Sequence, residues 1–177
     1  MIRKLKNIEL NRPTLEEYKE QKKFTVAVLL DNVRSMLNVG SVFRTCDALN
    51  VEKLFLGGIT AKPPHREITK TAIGAENSVN WEHVSDPVNL VRTLKESGWK
   101  IMALEQTDSS VDILNGGVDY SGKVLIIMGN EVHGVADDVL AECDQILEIP
   151  QYGTKHSFNV SVSTGIALWE IIRTKIE

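Results

Sequence analysis

Three separated clusters of polar residues carry whatever chemistry this chain does. Asn32, Arg34 and Asn38, with Arg44 six residues on, form the first; Gly129, Asn130 and Glu131 the second; Ser157 and Asn159 the third. These types suit the holding of a polar or anionic group. An arginine presents a planar fork of donors, and carboxylates, amides and hydroxyls supply a small set of acceptors and donors around it. Arg44 is the odd member, because it falls on an apolar helical stripe between Phe43 and Cys46 and so reads as partly buried. A buried arginine needs a partner, and Glu131 is the carboxylate at hand. Two readings stay open: a reactive site assembled from three loops, or an ion pair that braces two of them. The third cluster has its own plain reading, with Ser157 capping a helix and Asn159 closing a turn.

Other chemistries fail on spacing. No GxGxxG follows the first apolar run, which disfavours a dinucleotide site. Gly129 to Gly134, GNEVHG, has the glycine spacing of a phosphate loop but continues into Val135 rather than lysine and Ser/Thr. His65, His83, His133 and His156 show no metal-ligand spacing with cysteines or carboxylates, so no metal is expected. His156 beside Ser157 does not make a nucleophile and base, since such pairs are defined by geometry and not adjacency. Cys46 and Cys143 form neither a CxxC pair nor a disulfide framework, which suits a reducing cytoplasm.

The elements that must position the clusters follow from hydrophobic pattern. Phe24 to Leu30, Lys53 to Gly57, Trp99 to Leu104, Lys123 to Met128 and Gln145 to Ile149 read as strands, with Val79 to Val84 as an edge strand. Helices are expected over the stripe Val42, Phe43, Cys46 and Leu49, from Asp86-Pro87 to Ser97-Gly98, over Gly134 to Cys143, and from Val160 onward. Strands alternate with helices, so the class is α/β with a mainly parallel sheet flanked by helices. Each cluster then follows a strand, at the carboxyl end where such sheets bind ligands. The 177 residues, 42% hydrophobic and 25% charged, fit one globular unit over residues 24–177, preceded by a basic helical extension over residues 1–23. No apolar run reaches the roughly 20 residues of a membrane span, and the amino terminus lacks the pattern of a signal peptide. Net charge is −4, but residues 1–23 hold seven Lys or Arg against four Glu, and residues 105–148 hold ten acids against Lys123. Such asymmetry suits a molecule with one face turned to phosphates.

The stretches NVRSMLNVGSVFRTCDAL, LIIMGNEVHGV and IPQYGTKHSFNVSVSTGIALWE resemble, in order, the three motifs of the SpoU/TrmH family of RNA methyltransferases within the SPOUT superfamily. The first motif's Asn-x-Gly-(x)3-Arg stands as Asn38, Gly40 and Arg44. The second's Gly-x-Glu stands as Gly129 and Glu131. The third's Ser-x-Asn-Val-Ser-Val stands as Ser157, Asn159, Val160, Ser161 and Val162, with Phe158 where leucine is usual. The resemblance covers residues 24–172. It implies S-adenosylmethionine as cofactor, methyl transfer to a ribose 2′-oxygen, a carboxy-terminal segment threaded into a deep trefoil knot, and a homodimer. General topology rules make knots essentially absent, so only the resemblance supports one. It also implies catalytic roles for Arg44, Asn38, Glu131, Ser157 and Asn159, with Asn38 and Glu131 positioning Arg44. An arginine normally stays protonated, so Arg44 either is tuned by its surroundings to take the hydroxyl proton or holds a phosphate while another group does. The cofactor is expected against Leu104, Glu105, Gly129, Ile149, Gln151, Ser157 and Phe158.

The enzyme reading has a rival, a catalytically inactive RNA-binding relative of the same fold; intact Arg44, Glu131, Ser157 and Asn159 favour the enzyme. The missing glycine fingerprint sets aside a nucleotide-dependent oxidoreductase. A compact chain of this kind leans to transfer RNA over ribosomal RNA, and the RNA surface is expected at Arg3, Lys4, Lys6, Lys62, Arg66 and Lys70.

Overall fold

The computed structural model describes residues 2–115 and 117–176. Among them one sheet of seven parallel strands runs in the order β3-β2-β1-β6-β4-β7-β5. The strands are β1 (Phe24–Asp31), β2 (Val51–Gly57), β3 (Trp81–Val84), β4 (Trp99–Leu104), β5 (Val111–Asp112), β6 (Lys123–Met128) and β7 (Gln145–Glu148). β1 and β6 sit in the middle and are the most continuously apolar segments. Side chains alternate across a strand, so a strand covered on both faces is apolar at every position. Val26, Val28 and Leu30 enter one core with α2 (Met36–Ala48) and α6 (Val160–Arg173). Ala27 and Leu29 enter a second core with α4 (Pro87–Glu96) and α5 (Asp137–Leu140). No helix among the described residues is long and apolar enough to cross a membrane.

Local chemistry sets the helix starts. Ser35 caps α2 by accepting from the Asn38 N–H, and Asp86 caps α4 by accepting from Asn89, with Pro87 in the first turn. α2 also carries the glycine of the first motif, and the packing explains it. α3 (Arg66–Ala72) approaches so closely that a Cβ on Gly40 would lie 2.2 Å from Thr71 Oγ1 and 2.3 Å from the Ile68 carbonyl oxygen.

Three expectations change. Residues 1–23 are not one helix: a 3-10 turn at Asn7–Leu10 ends at left-handed Asn11, and α1 (Leu15–Glu20) starts afresh at a Thr14/Glu17 capping box. α1 is docked on the sheet unit, with Tyr18 buried and its hydroxyl donating to the Asp47 carbonyl at 3.1 Å. The helix expected over Gly134 to Cys143 shrinks to the four residues of α5, because Gly134 takes φ +70° and closes a turn instead. The acidic stretch after β4 contains an unexpected two-residue strand, β5, at the sheet edge opposite β3. β3 itself lies at an edge, as the pattern indicated.

Candidate active site

All three clusters lie at carboxyl ends of strands. Asn32 to Asn38 follow β1, Gly129 to Glu131 follow β6, and Ser157 to Asn159 join β7 to α6. The Glu131 carboxylate closes on the first loop, accepting the N–H of Arg34 at 2.9 Å, that of Ser35 at 3.0 Å, and Asn38 Nδ2 at 3.0 Å. Asn38 Oδ1 in turn accepts from Asn159 Nδ2 at 3.1 Å, and Asn159 Oδ1 accepts from the Ser161 N–H and hydroxyl. One hydrogen-bonded chain therefore runs through all three motifs. Asn159, and not Ser157, caps α6. Ser157 is exposed and lines the cleft described below.

Arg44 stands outside this chain. It is exposed on α2, and among the described residues its guanidinium has no hydrogen-bond or ion-pair partner. The partly buried Arg44–Glu131 pair is thus overturned. Glu131 is occupied by the N–H groups of α2's entry, which are fixed in place and need no second charge. The positioning of Arg44 by Asn38 and Glu131 is at most indirect, through the start of the helix that carries all but the carboxylate.

Burial pushes the Glu131 carboxyl up, but the N–H bonds from Arg34, Asn38 and Ser35 together outweigh it and hold the group below the ordinary glutamate range. We expect Glu131→Gln to melt about 2–4 °C below the parent at neutral pH, the shift that roughly 1 kcal/mol produces in a chain of this size. Since folding depresses this carboxyl, its contribution is present above the ordinary glutamate range and fades as pH falls through the depressed value. Circular-dichroism melts over an acidic series check this. A gap between parent and variant that persists at the acid end would assign the loss to something other than the charge.

A cleft of about 540 Å³ opens where β4, β6 and β7 end, and all seven residues expected at the cofactor line it: Leu104, Glu105, Gly129, Ile149, Gln151, Ser157 and Phe158. Its floor is built from backbone. Asn130 and Gly134 exchange both N–H···O bonds, at 2.9 and 3.0 Å, closing the GNEVHG loop on itself rather than into a phosphate cradle. Gly129 lies flat against that closure, where a Cβ would meet Gly134 C and Val135 N at 2.2 Å. Glu105 clamps the loop from the β4 side: Oε2 accepts from the Val135 N–H at 3.0 Å and Oε1 from Gln106 at 2.9 Å. Gly134 makes room for that carboxylate, since a Cβ there would sit 2.1 Å from Glu105 Oε2.

Sequence reasoning missed two buried polar residues under the site. Asp31, fully buried at the end of β1, accepts from the Ala136 N–H at 2.9 Å and from Asn32 Nδ2 at 2.7 Å. Burial raises its carboxyl above the ordinary aspartate range against the pull of the Ala136 bond. Thr60, 2% exposed, donates to the Leu30 carbonyl and accepts from the Val33 N–H. The signal for Asp31 was an acid closing an otherwise apolar strand. Thr60 left none. Asn130, named from sequence, proves to be a tie, with Nδ2 donating to the Asn32 carbonyl at 2.7 Å.

The basic residues expected at RNA fall into two groups. Lys62, Arg66 and Lys70 are exposed around the start of α3, and Lys4 and Lys6 are exposed before the 3-10 turn. Arg3 is not free, because its guanidinium grips both Glu9 oxygens at 2.7 and 3.0 Å. Among the described residues no three His, Cys, Asp or Glu gather as a metal site would require.

Residues 25–169 match the SpoU rRNA Methylase family. The tRNA (guanosine(18)-2′-O)-methyltransferase of Aquifex aeolicus is 32% identical over 176 residues, covering 96% of this chain and 79% of that protein. The 23S rRNA (guanosine-2′-O-)-methyltransferase RlmB of Haemophilus ducreyi is 29% identical, covering 95% of this chain and 68% of that protein. Among solved structures, the A. aeolicus TrmH/SpoU tRNA modifying enzyme superposes with a TM-score of 0.81 at 32% identity, over 91% of this chain and 80% of that one. The AdoMet-bound rRNA methyltransferase of Sinorhizobium meliloti gives 0.80 at 28% identity, over 94% of this chain and 62% of that one. With the family's three motifs meeting at one set of strand ends, and with these similarities running nearly end to end, this chain belongs to the SpoU/TrmH family of methyltransferases.

Proposed function

We propose that the chain transfers a methyl group from S-adenosylmethionine to a ribose 2′-oxygen of a structured RNA, with transfer RNA favoured over ribosomal RNA. The observation that carries this reading is the cleft itself, lined by the motif loops and tied to α2 through Glu131, Asn38 and Asn159. Its residues fit the cofactor. Leu104, Met128, Ile149 and Phe158 offer apolar walls for a purine, while Glu105, Gln151, Ser157 and backbone groups offer polar contacts. The volume of about 540 Å³ falls in the range of roughly 300–1,000 Å³ usual for small-molecule sites.

When bound, the cofactor supplies an electrophilic methyl on a sulfonium. The chain's own residues have the other tasks. Glu105 and Gly129 keep the floor of the cleft shut, Ser157 reaches the reacting region, and Asn159 and Asn38 hold the α6 and α2 entries in register. Arg44, exposed on α2 and without a partner among the described residues, is available to a phosphate or hydroxyl of the RNA. Bringing two bound reactants together in the right geometry supplies much of the acceleration.

Residues 24–177 form the methyl-transfer unit in this proposal, with residues 1–23 as its extension. The β7-to-α6 segment is the part that would thread the knot. The assembly is a homodimer, because Val162, Ile166 and Trp169 are 50%, 37% and 57% exposed along one face of α6, an apolar stripe of the kind that marks an interface. A concentration-independent monomer mass by light scattering would overturn the dimer. Free cysteines suit a cytoplasmic home. Lys4, Lys6, Lys62, Arg66 and Lys70 contribute the RNA surface.

The test is methyl transfer from labelled S-adenosylmethionine to bulk cellular RNA, with the product digested to nucleosides. A 2′-O-methylnucleoside is the expected label. Cofactor binding without any transfer would favour the RNA-binding reading. No binding at millimolar cofactor, where affinity is worth only about −4 kcal/mol, would remove the cofactor from this cleft.

A further inference from the structure

At the other end of the sheet a second cleft, of about 570 Å³, is lined by Lys22, Lys23, Phe24 and Thr25 leading into β1, by Ser121 and Gly122 before β6, and by Lys175 and Ile176 after α6. Among the described residues that line it, three are lysines and none is a carboxylate. β1 separates this cleft from the methyl-transfer site by about 23 Å, seven steps of roughly 3.3 Å. We propose that this cleft is a binding site for a phosphate group.

The donors are built and aimed by the backbone. Lys23 Nζ donates to the Tyr18 carbonyl at 2.6 Å and lies 3.1 Å from the centre of the Tyr18 ring. Lys175 Nζ donates to the carbonyls of Tyr120 and Gly122, at 2.5 and 2.8 Å. An ammonium has three donors; with one given to a carbonyl and one turned to the ring, Lys23 retains one, and Lys175, with two given to carbonyls, also retains one. Ser121 is taken up within the chain, since its Oγ accepts from Lys100 Nζ at 3.0 Å and its N–H donates to Asp119 Oδ1 at 2.9 Å.

Charge balance points the same way. Among the described residues Lys22, Lys23 and Lys175 make no ion pair, while the nearby acid Asp119 is committed to Lys100. Burial lowers both the Lys23 and Lys175 ammonium groups from the ordinary lysine range, with Lys100 adding to it at Lys175; Asp47 and Asp119 pull the other way without prevailing. Partly buried positive charge without a counter-charge is relieved by an anion. Lysines are point-charge partners of phosphate, whereas planar carboxylates are better matched by the arginine fork that this cleft lacks.

Two sources share this chemistry: the backbone of a bound RNA, which rests on the function proposed above, and a free phosphate or nucleotide, which does not. The test has an arm for each. In the first, inorganic phosphate is titrated into the full chain at constant ionic strength, with chloride as control, and the amide resonances of Thr25 and Gly122 are followed by NMR. Saturable shifts are expected with phosphate and not with chloride. Lys22→Gln combined with Lys175→Gln should weaken them at least about tenfold. Lys22→Gln alone serves if the double variant melts early, since the Lys22 side chain is exposed and makes no bond among the described residues, and the bond from Asn50 Nδ2 at 2.9 Å is accepted by the backbone carbonyl that the substitution keeps. In the second arm, transfer RNA binding is measured against salt. A slope reduced by roughly 0.7–0.9 per lost contact assigns the phosphate to RNA, and an unchanged slope beside saturable phosphate binding assigns it to a free anion. Absent shifts at tens of millimolar phosphate, or shifts that the variants leave unchanged, overturn the site. Because the first arm uses no RNA, its failure is separate from any failure of the methyltransferase reading.

Discussion

Arg44→Ala is expected to fold, to melt with the parent and to bind S-adenosylmethionine normally, yet to lose methyl transfer by at least about a hundredfold, the low end for positioned proton-transfer groups. The structure sharpens this expectation. Had Arg44 braced Glu131, its removal would strand a carboxylate and lower the melting temperature. Instead Glu131 takes its bonds from Arg34, Ser35 and Asn38, and Arg44 points to solvent. Loss of an exposed, unpartnered side chain changes stability by no more than about 0.5 kcal/mol, so any large effect on rate belongs to contacts made with the RNA. Arg44→Lys keeps the charge but not the planar fork, and should be nearly as poor. Ser157→Ala and Asn159→Ala should cost less in rate. For Asn159 that smaller loss should come with an earlier melt, because it caps α6 and holds Asn38. Single-turnover rates beside thermal melts separate these outcomes. Parent-like transfer by Arg44→Ala would place the mechanism elsewhere.

The frame of the sheet was legible because burial imposes a pattern on sequence. Phe24 to Leu30 is apolar at each position from Val26 on, since both faces of β1 are covered, and the edge strand β3 is short and mixed. The start of α4 was legible from Asp86-Pro87, a local signal that depends on no distant partner. What was hidden depends on contacts far apart in the chain. Arg44 lies between buried Phe43 and Cys46 but points outward, because α2 turns about 100° per residue and its buried face is narrow. Glu131 binds residues nearly a hundred positions away, through backbone N–H groups that every sequence possesses. The helix expected after Gly134 failed because that glycine has a positive φ fixed by the Asn130 closure and the Glu105 clamp. The resemblance supplied the three motifs together; the periodicity of each segment alone would not have joined them.

Gly129→Ala is expected to be the most damaging single-methyl change at the cofactor cleft. The added Cβ would lie 2.2 Å from Gly134 C and Val135 N, and 2.6 Å from the Gly134 carbonyl oxygen. All three are backbone atoms of a loop closed by two hydrogen bonds, so no side-chain rotation relieves the clash. Either the Asn130–Gly134 closure opens or Val135 pulls away from Glu105, and both movements deform the floor of the cleft. Overpacking of this kind costs roughly 1–3 kcal/mol, which in a chain of this length lowers the melting temperature by about 2–12 °C. The functional consequence is read separately, from the rise in melting temperature that a fixed excess of S-adenosylmethionine produces. That rise follows RT ln(1 + [L]/Kd), so a tenfold loss of affinity removes about 1.4 kcal/mol of ligand stabilisation, and at least that much is expected. Gly153→Ala is the control: it lies in the β7-to-α6 segment, whose Gln151 and Ser157 line the same cleft, takes no positive φ and has open space where its Cβ would be. It should leave both the melting temperature and the cofactor-induced rise unchanged. If Gly129→Ala melts early but keeps the full cofactor-induced rise, the closed loop supports the fold without forming the cofactor's floor.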